Sequence, residues 1–136
     1  MSRSKLREKV FRLLFRIEFH DREEFESQKD AFFLEEEQEQ MSEEDQAQVA
    51  LRCEQIKEKL ADIDALLSEK TTGWSIQRIG KVELAILRLA VYEIEFDESI
   101  PVSVSINEAV ELAKRYGAEE SSGFINGVLA KFAAKE

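Results

Sequence analysis

The side chains best suited to catalysis are scarce in this chain of 136 residues. It holds one cysteine, Cys53, and one histidine, His20, whereas a nucleophile needs a neighbouring base and a zinc site needs several such ligands. Cys53 shares a helical apolar spacing with Val49 and Ile56, which indicates a buried small residue. We therefore expect no catalytic residue and no metal site.

The glycines and carboxylates also form no recognisable ligand motif. The five glycines are scattered, so the chain has no glycine-rich phosphate loop. The run Asp62-Ile63-Asp64 lacks the glycine and the downstream glutamate of a calcium loop. We expect a protein that is not an enzyme and that uses no cofactor and no small-molecule substrate.

Basic residues are concentrated at the start of an acidic chain. The formal net charge is −10, yet the first 16 residues contain a single acid, Glu8, and six basic residues: Arg3, Lys5, Arg7, Lys9, Arg12 and Arg16. Such a stripe is most often a solvated helix face, but it is also the pattern that binds nucleic-acid phosphates. The pattern alone leaves both interpretations open.

The spacing of apolar residues predicts three helices in the N-terminal half of the chain. The first is expected over about residues 4–19 and the second over about 23–37. The third should begin after Ser42, a helix cap followed by acids that suit a helix N-terminus, and should continue to about Leu67.

The C-terminal half should begin after the Thr71-Thr72-Gly73 break, with Trp74 packing the two halves together. Beyond a short helix at about 75–79, the nearly all-apolar segment 82–96 predicts a central buried helix. A last helix is expected over about 121–134.

The segment between these last two helices has a mixed pattern. Val102 and Val104 alternate with serines after Pro101, which predicts a short extended stretch. Ser105 then has the spacing of a capping box, and Gly117 suits the end of the helix that follows.

These elements predict an all-α fold with about seven helices in a single domain over residues 1–136. Its N-terminal helical half covers about residues 1–70 and its C-terminal half about 71–136. The lone thiol, together with the lack of a signal-peptide pattern and of a membrane-length apolar run, favours the cytoplasm.

Five short segments of the C-terminal half stand in a distinctive order and spacing: Gly80-Lys81-Val82-Glu83, Leu87-Arg88-Leu89-Ala90-Val91-Tyr92-Glu93, Pro101, Ile106-Asn107-Glu108-Ala109-Val110-Glu111-Leu112-Ala113-Lys114, and Phe124-Ile125-Asn126-Gly127-Val128-Leu129. Together they resemble the signature of the NusB family of bacterial transcription antitermination factors. The resemblance spans about residues 72–130, and Arg7-Glu8 in the first helix match more loosely.

The resemblance implies two small helical subdomains packed together. It also implies a protein partner, the small-subunit ribosomal protein NusE. In the family, this pair binds the single-stranded boxA element of nascent ribosomal RNA transcripts and helps RNA polymerase to resist termination. A basic arm on an acidic body would suit single-stranded RNA, which is bound by cations along its backbone and by aromatic rings at its bases.

The family's RNA surface centres on a basic first helix, which implies RNA contacts for Arg3, Lys5 and Arg7. Ser4 stands where a further basic residue is expected. Phe15 stands where a tyrosine is common, and its ring is retained for contact with RNA.

The resemblance also implies functional residues in the C-terminal half. Glu120 and Phe124, near the start of the last helix, correspond to a second patch close to RNA. Glu83 begins the central helix where the family contacts NusE, and it is the expected partner-binding residue.

Other signature residues are expected to be structural. Arg88 lies in the apolar central helix and should pair internally with a carboxylate, with Glu108 and Glu111 as the candidates. Tyr92 of the same helix is expected to pack inside the protein.

Two other functions remain open on this reasoning. The first is the NusB-like RNA-binding domain of a ribosomal RNA methyltransferase. The second is a helical adaptor with no RNA role, in which the basic residues of the first helix would be incidental.

Overall fold

The structure, a computed structural model, describes residues 1–18, 24–37, 41–71 and 75–133. His20 lies outside these ranges. Trp74, which is predicted to pack the two halves together, also lies outside them. Within the described ranges the chain forms no β-strand, a 3₁₀ turn at Ile76–Arg78 and seven α-helices: α1 (Arg3–Glu18), α2 (Phe25–Glu37), α3 (Glu43–Glu58), α4 (Leu60–Lys70), α5 (Lys81–Phe96), α6 (Val102–Tyr116) and α7 (Ser121–Ala133). The predicted all-α fold is confirmed.

The helices group into two compact units, residues 1–57 and residues 58–136. In the first unit, α1 packs against α2, and the Arg16 guanidinium on α1 donates hydrogen bonds to Gln28 and Glu35 on α2, at 3.0 and 2.9 Å. The thiol of Cys53 on α3 lies 3.7 Å from the carbonyl oxygen of Val10 on α1. The buried apolar side chains of this unit are Val10, Phe11, Leu13, Phe25, Phe32, Met41, Val49, Cys53 and Ile56.

The second unit is built around α5, which packs against α4, α6 and α7. The predicted central helix is confirmed, because nine of the ten residues from Leu84 to Glu93 in α5 are buried. They are Leu84, Ala85, Ile86, Leu87, Leu89, Ala90, Val91, Tyr92 and Glu93. Burial of apolar surface on this scale is the main stabilising contribution to a fold of this size.

The predicted third helix is in fact two helices. The chain turns at Lys59, with φ −99° and ψ 8°, and α4 begins at the next residue. The backbone N–H of Ile63 still donates to the Lys59 carbonyl at 2.9 Å, so helical hydrogen bonding resumes at once. Ile56, Ile63 and Leu67 are all fully buried, and their continuous apolar spacing conceals the interruption.

The expected extended stretch at Val102 and Val104 is wrong, because α6 already begins at Val102. Pro101 precedes it with φ −60° and ψ 140°, and a proline at a helix start loses nothing, since its missing N–H would have no helical partner there. Ser105 therefore lies inside α6 and is not its cap. Its buried hydroxyl donates instead to the Glu93 carboxylate on α5, at 2.8 Å.

The other helix boundaries follow the sequence closely. The Ser42 hydroxyl accepts a hydrogen bond from the Asp45 N–H at 3.1 Å, which confirms Ser42 as the cap of α3. Gly117 ends α6 as expected, and its backbone is extended, with φ −95° and ψ −179°.

Arg88 on α5 is paired inside the protein, as predicted. The carboxylate in its two-point salt bridge belongs to Asp64 on α4, whereas the predicted candidates were acids on α6.

Candidate nucleic-acid interface

The start of α1 concentrates positive charge at a helix N-terminus. Ser2 caps the helix, because its hydroxyl accepts a hydrogen bond from the Lys5 N–H at 3.1 Å. The first turn contains no acid, Arg3 and Lys5 are exposed, and Arg7 is half-buried one turn further on. Because the unpaired N–H groups of a helix N-terminus are themselves positive, the side chains and the backbone together attract an anion.

The start of α3 has the opposite charge pattern. Its first turn carries Glu43, Glu44 and Asp45, the arrangement that a helix dipole favours. The N-terminal ammonium of Met1 lies 3.7 Å from the Asp45 carboxylate. A cation at a helix N-terminus interacts unfavourably with the helix dipole and lowers helix stability by about 0.3–1 kcal/mol. Helix stability therefore does not explain the positive charge at the start of α1. The same charge pattern is suited to binding an anion.

Two other residues of the basic stripe, Lys9 and Arg16, do not belong to a solvated face. Lys9 is only 2% exposed, and Arg16 is held by the side chains of α2 described above. The interpretation of the whole stripe as a solvated face is therefore wrong for these two residues. The part of the stripe that is open to solvent is its beginning, at Arg3 and Lys5.

Phe15 presents part of an aromatic ring further along α1. It is half-buried, and its ring centroid lies 6.3 Å from that of Phe11, with an angle of 35° between the ring planes. Phe11 is only 2% exposed, so it fixes one side of the Phe15 ring. A partly exposed ring held in this way can stack on a nucleobase with little loss of side-chain entropy.

The second predicted patch lies in the second unit, at the start of α7. Glu120 is exposed, Phe124 is half-buried, and the Phe124 N–H donates to the Glu120 carbonyl at 3.2 Å. The predicted RNA residues are thus divided between the units, with Arg3, Lys5 and Arg7 in the first.

Glu83, the predicted partner residue, lies in the first turn of α5 and is half-buried. Its carboxylate accepts a hydrogen bond of 2.8 Å from the hydroxyl of Ser121, the first residue of α7. That hydroxyl in turn accepts from the N–H of Ala118 at 2.9 Å. Sequence reasoning missed Ser121, because a serine at a helix start looks like an ordinary cap and nothing local points to an acid 38 positions earlier.

The single cysteine of the chain lies inside the protein and not on this surface. Burial raises the pKa of the Cys53 thiol, so the thiol is protonated at neutral pH and packs as the expected small buried residue. In the four described ranges, no three histidine, cysteine or carboxylate side chains are grouped to hold a metal ion. The same ranges contain no helix with the length and apolar character needed to cross a membrane.

Comparisons of the whole sequence with known proteins give one consistent family. The sequence profile of the NusB family matches residues 4–134. The transcription antitermination protein NusB of Agathobacter rectalis is 55% identical over 133 residues, which cover 98% of this chain and all of the relative. That of Lachnoclostridium phytofermentans is 47% identical over 131 residues, or 96% of this chain and 98% of the relative.

Solved structures show the same fold. NusB from T. maritima superposes with a TM-score of 0.86 at 35% identity, covering all of this chain and 93% of the other. A chain in the crystal structure of the antitermination factors NusB and NusE in complex with dsRNA gives a TM-score of 0.79 at 24% identity, with both chains fully covered. At that identity the second likeness establishes the fold alone.

Proposed function

Because this chain belongs to the NusB family, whose relatives are transcription antitermination proteins, we propose that it is an RNA-binding antitermination factor that acts with NusE on boxA RNA. The observation that carries the proposal is the start of α1, where exposed cations oppose the helix dipole. A phosphate is the ligand that satisfies both the side chains and the helix N-terminus.

In this proposal Arg3, Lys5 and Arg7 contact the RNA backbone, and the ring of Phe15 stacks on a base. Cations and aromatic rings are the two components from which single-strand sites are built. The exposure of Arg3 and Lys5 and the fixed ring of Phe15 support these roles. The acidic remainder of the chain repels RNA elsewhere, which favours binding at this end of α1.

Glu120 and Phe124 form the proposed second RNA patch, in which Phe124 supplies the ring. Glu120 carries a negative charge, so its direct contacts would be with base or ribose donors and not with phosphates. The half-buried state of Phe124 supports a stacking role, since part of the ring is accessible and the rest is anchored.

We assign NusE binding to the start of α5, with the Glu83 carboxylate as the acceptor for a cation of the ribosomal protein. The NusB chain in the complex with NusE and dsRNA has the fold of this chain, and the fold is therefore compatible with such an assembly. The complete assembly would act on RNA polymerase, and its proposed location is the cytoplasm.

The proposed function requires no catalytic step. The named relatives are antitermination proteins and not methyltransferases, which favours this function over the methyltransferase-domain alternative. The helical adaptor alternative leaves the exposed cations of α1 without a role.

A gel-retardation titration tests the proposal. The purified protein, with and without NusE, is titrated against boxA RNA and against a scrambled RNA of the same composition. We expect retardation of boxA RNA only, with the higher affinity when NusE is present. Equal retardation of both RNAs would contradict the function, and no retardation of either would favour the adaptor.

A further inference from the structure

A hydrogen bond joins the proposed partner site to the proposed second RNA patch. The Glu83 carboxylate on α5 and the Ser121 hydroxyl on α7 are 2.8 Å apart, and Ser121 directly follows Glu120. Because the same hydroxyl accepts from the Ala118 N–H, it also closes the turn between α6 and α7. The Ser121 hydroxyl is therefore hydrogen-bonded both to the Glu83 carboxylate and to the backbone of the turn that contains Glu120.

Two glycines lie beside this pair, Gly117 next to Ser121 and Gly80 next to Glu83. A Cβ atom on Gly117 would lie 2.7 Å from the Cβ and Oγ of Ser121 and 2.8 Å from the Ala113 carbonyl oxygen. A Cβ atom on Gly80 would collide with Oε1 of Glu83. The Glu83 carboxylate and the Ser121 side chain therefore lie close to glycine backbone in the observed arrangement, and a side chain added at either glycine would displace them.

The two members of the pair differ in access. Ser121 is only 5% exposed, so its hydroxyl has no room for an outside ligand. Glu83 is half-buried, and a carboxylate has two oxygens, of which Ser121 uses Oε2. Glu83 can therefore accept a hydrogen bond from a partner without releasing Ser121.

We infer that the Glu83–Ser121 hydrogen bond couples NusE binding to RNA binding, an inference that rests on the proposed function. A cation of NusE at the free lone pairs of Glu83 fixes the carboxylate in the position that holds Ser121. Ser121 then holds the turn at Ala118, and the turn holds Glu120 and the start of α7. The RNA patch is ordered before RNA arrives, which raises RNA affinity without any added contact between NusE and the patch.

This coupling is reciprocal, so RNA must raise NusE affinity by the same factor as NusE raises RNA affinity. Ser121 acts here as a positioning residue, since its burial keeps it from touching either ligand. The quantity to measure is thus a ratio, the boxA RNA affinity with saturating NusE divided by the affinity without it. A purely structural role would lower both affinities and leave the ratio unchanged.

The experiment compares this ratio, from fluorescence anisotropy, in the unaltered protein and three variants. Ser121→Ala removes the hydroxyl, Gly117→Ala keeps it but displaces it, and Ser103→Ala makes the same change as the first at an exposed site on α6. We expect the ratio to fall by about 5-fold in each of the first two variants and to stay unchanged in the third. Circular dichroism checks that each variant is folded.

Two results would overturn the inference. The first is a wild-type ratio of one, which needs no variant and therefore no assumption about folding. The second is an unchanged ratio in folded Ser121→Ala or Gly117→Ala protein. The proposed function is judged separately, by whether replacement of Arg3, Lys5 and Arg7 abolishes boxA binding by the protein alone. That loss can occur whether or not the coupling exists.

Discussion

Arg88 on α5 and Asp64 on α4 face each other in a two-point salt bridge. The guanidinium donates through Nε and Nη2 to the two carboxylate oxygens, each at 2.9 Å. The side chains are 12% and 27% exposed, so solvent screens the pair only in part. Two parallel charged hydrogen bonds fix direction as well as distance, and the pair ties α4 to the central helix of the second unit.

Replacing Asp64 by asparagine should lower the free energy of unfolding by about 1–3 kcal/mol, because the two charge-assisted hydrogen bonds from Arg88 lose the negative charge of their acceptor in a partly buried place. Urea denaturation measures the change. Asp30→Asn, the same replacement at an exposed position on α2, should have almost no effect. Equal stabilities of the Asp64 and Asp30 variants would show that the pair contributes nothing.

Replacing Arg3, Lys5 and Arg7 together by alanine should remove most boxA binding while preserving the fold. Each phosphate contact releases counterions, and the logarithm of affinity falls with the logarithm of salt concentration by roughly 0.7 per contact on single strands. Three contacts give a slope of about −2 for the wild-type protein, and the triple variant should approach zero. Filter binding over a salt series gives both slopes.

A charge-matched control is needed for this variant. Lys57 and Lys59 look suitable in the sequence, but their ammonium groups lie over the rings of Phe25 and Phe96, at 4.1 and 5.3 Å, so replacing them also disturbs packing. A triple replacement of exposed cations in the second unit, Arg78, Lys114 and Lys131, leaves these two rings untouched. It removes the hydrogen bond from the Lys131 ammonium to the Lys70 carbonyl at 2.9 Å, so circular dichroism checks that the variant is folded. If it weakens RNA binding as much as the α1 variant, the effect is general electrostatics.

Phe124→Leu should lower boxA affinity by about 5-fold, because it keeps apolar packing but removes the flat face that stacks on a base. Phe96→Leu is the matched control, since Phe96 is 38% exposed and lies outside both proposed RNA patches. Anisotropy titrations measure both. Unchanged affinity of the Phe124 variant would remove Phe124 from the site.

Glu83→Gln should weaken NusE binding measured by titration calorimetry, because the charge is lost while an oxygen remains to accept from Ser121. Glu69→Gln, at an exposed position of α4, is the control. Wild-type NusE affinity in the Glu83 variant would exclude this carboxylate from the partner interface.

Gly127→Ala should raise the free energy of unfolding by about 0.5–1 kcal/mol, because Gly127 lies inside α7 and a Cβ atom there meets nothing within 4 Å. Gly117→Ala should instead be destabilising, owing to the contacts with Ser121. Thermal and urea unfolding measure both. A Gly127 variant that is more stable but binds RNA or NusE less well would mark this exposed face of α7 as a contact surface.

The fold could be predicted where local periodicity and burial agree, as in α5 and at the Ser42 cap. It was mispredicted where a distant group decides the local structure. Ser105 has the spacing of a cap, but Glu93 from α5 binds its hydroxyl and Pro101 begins the helix a turn earlier. Lys59 interrupts a helix without changing the apolar spacing, so no pattern of residue types reveals it.

The candidate site shows the same limit. The charge at the start of α1 is visible in the sequence, but Lys9 is similar to Lys5 by type and spacing, and only the folded chain shows that one is buried and the other exposed. The bond between Ser121 and Glu83 depends on how α5 and α7 pack, which residue spacing does not encode.

The cations at the start of α1 also affect the free protein. A first turn that lacks acids and carries like charges is prone to fray, because its own electrostatics favour the uncoiled chain. In the proposed complex, an RNA phosphate would supply the negative charge that the first turn lacks. RNA would then complete the helix as well as occupy its surface, and part of the binding energy would be used to order the first residues of the chain.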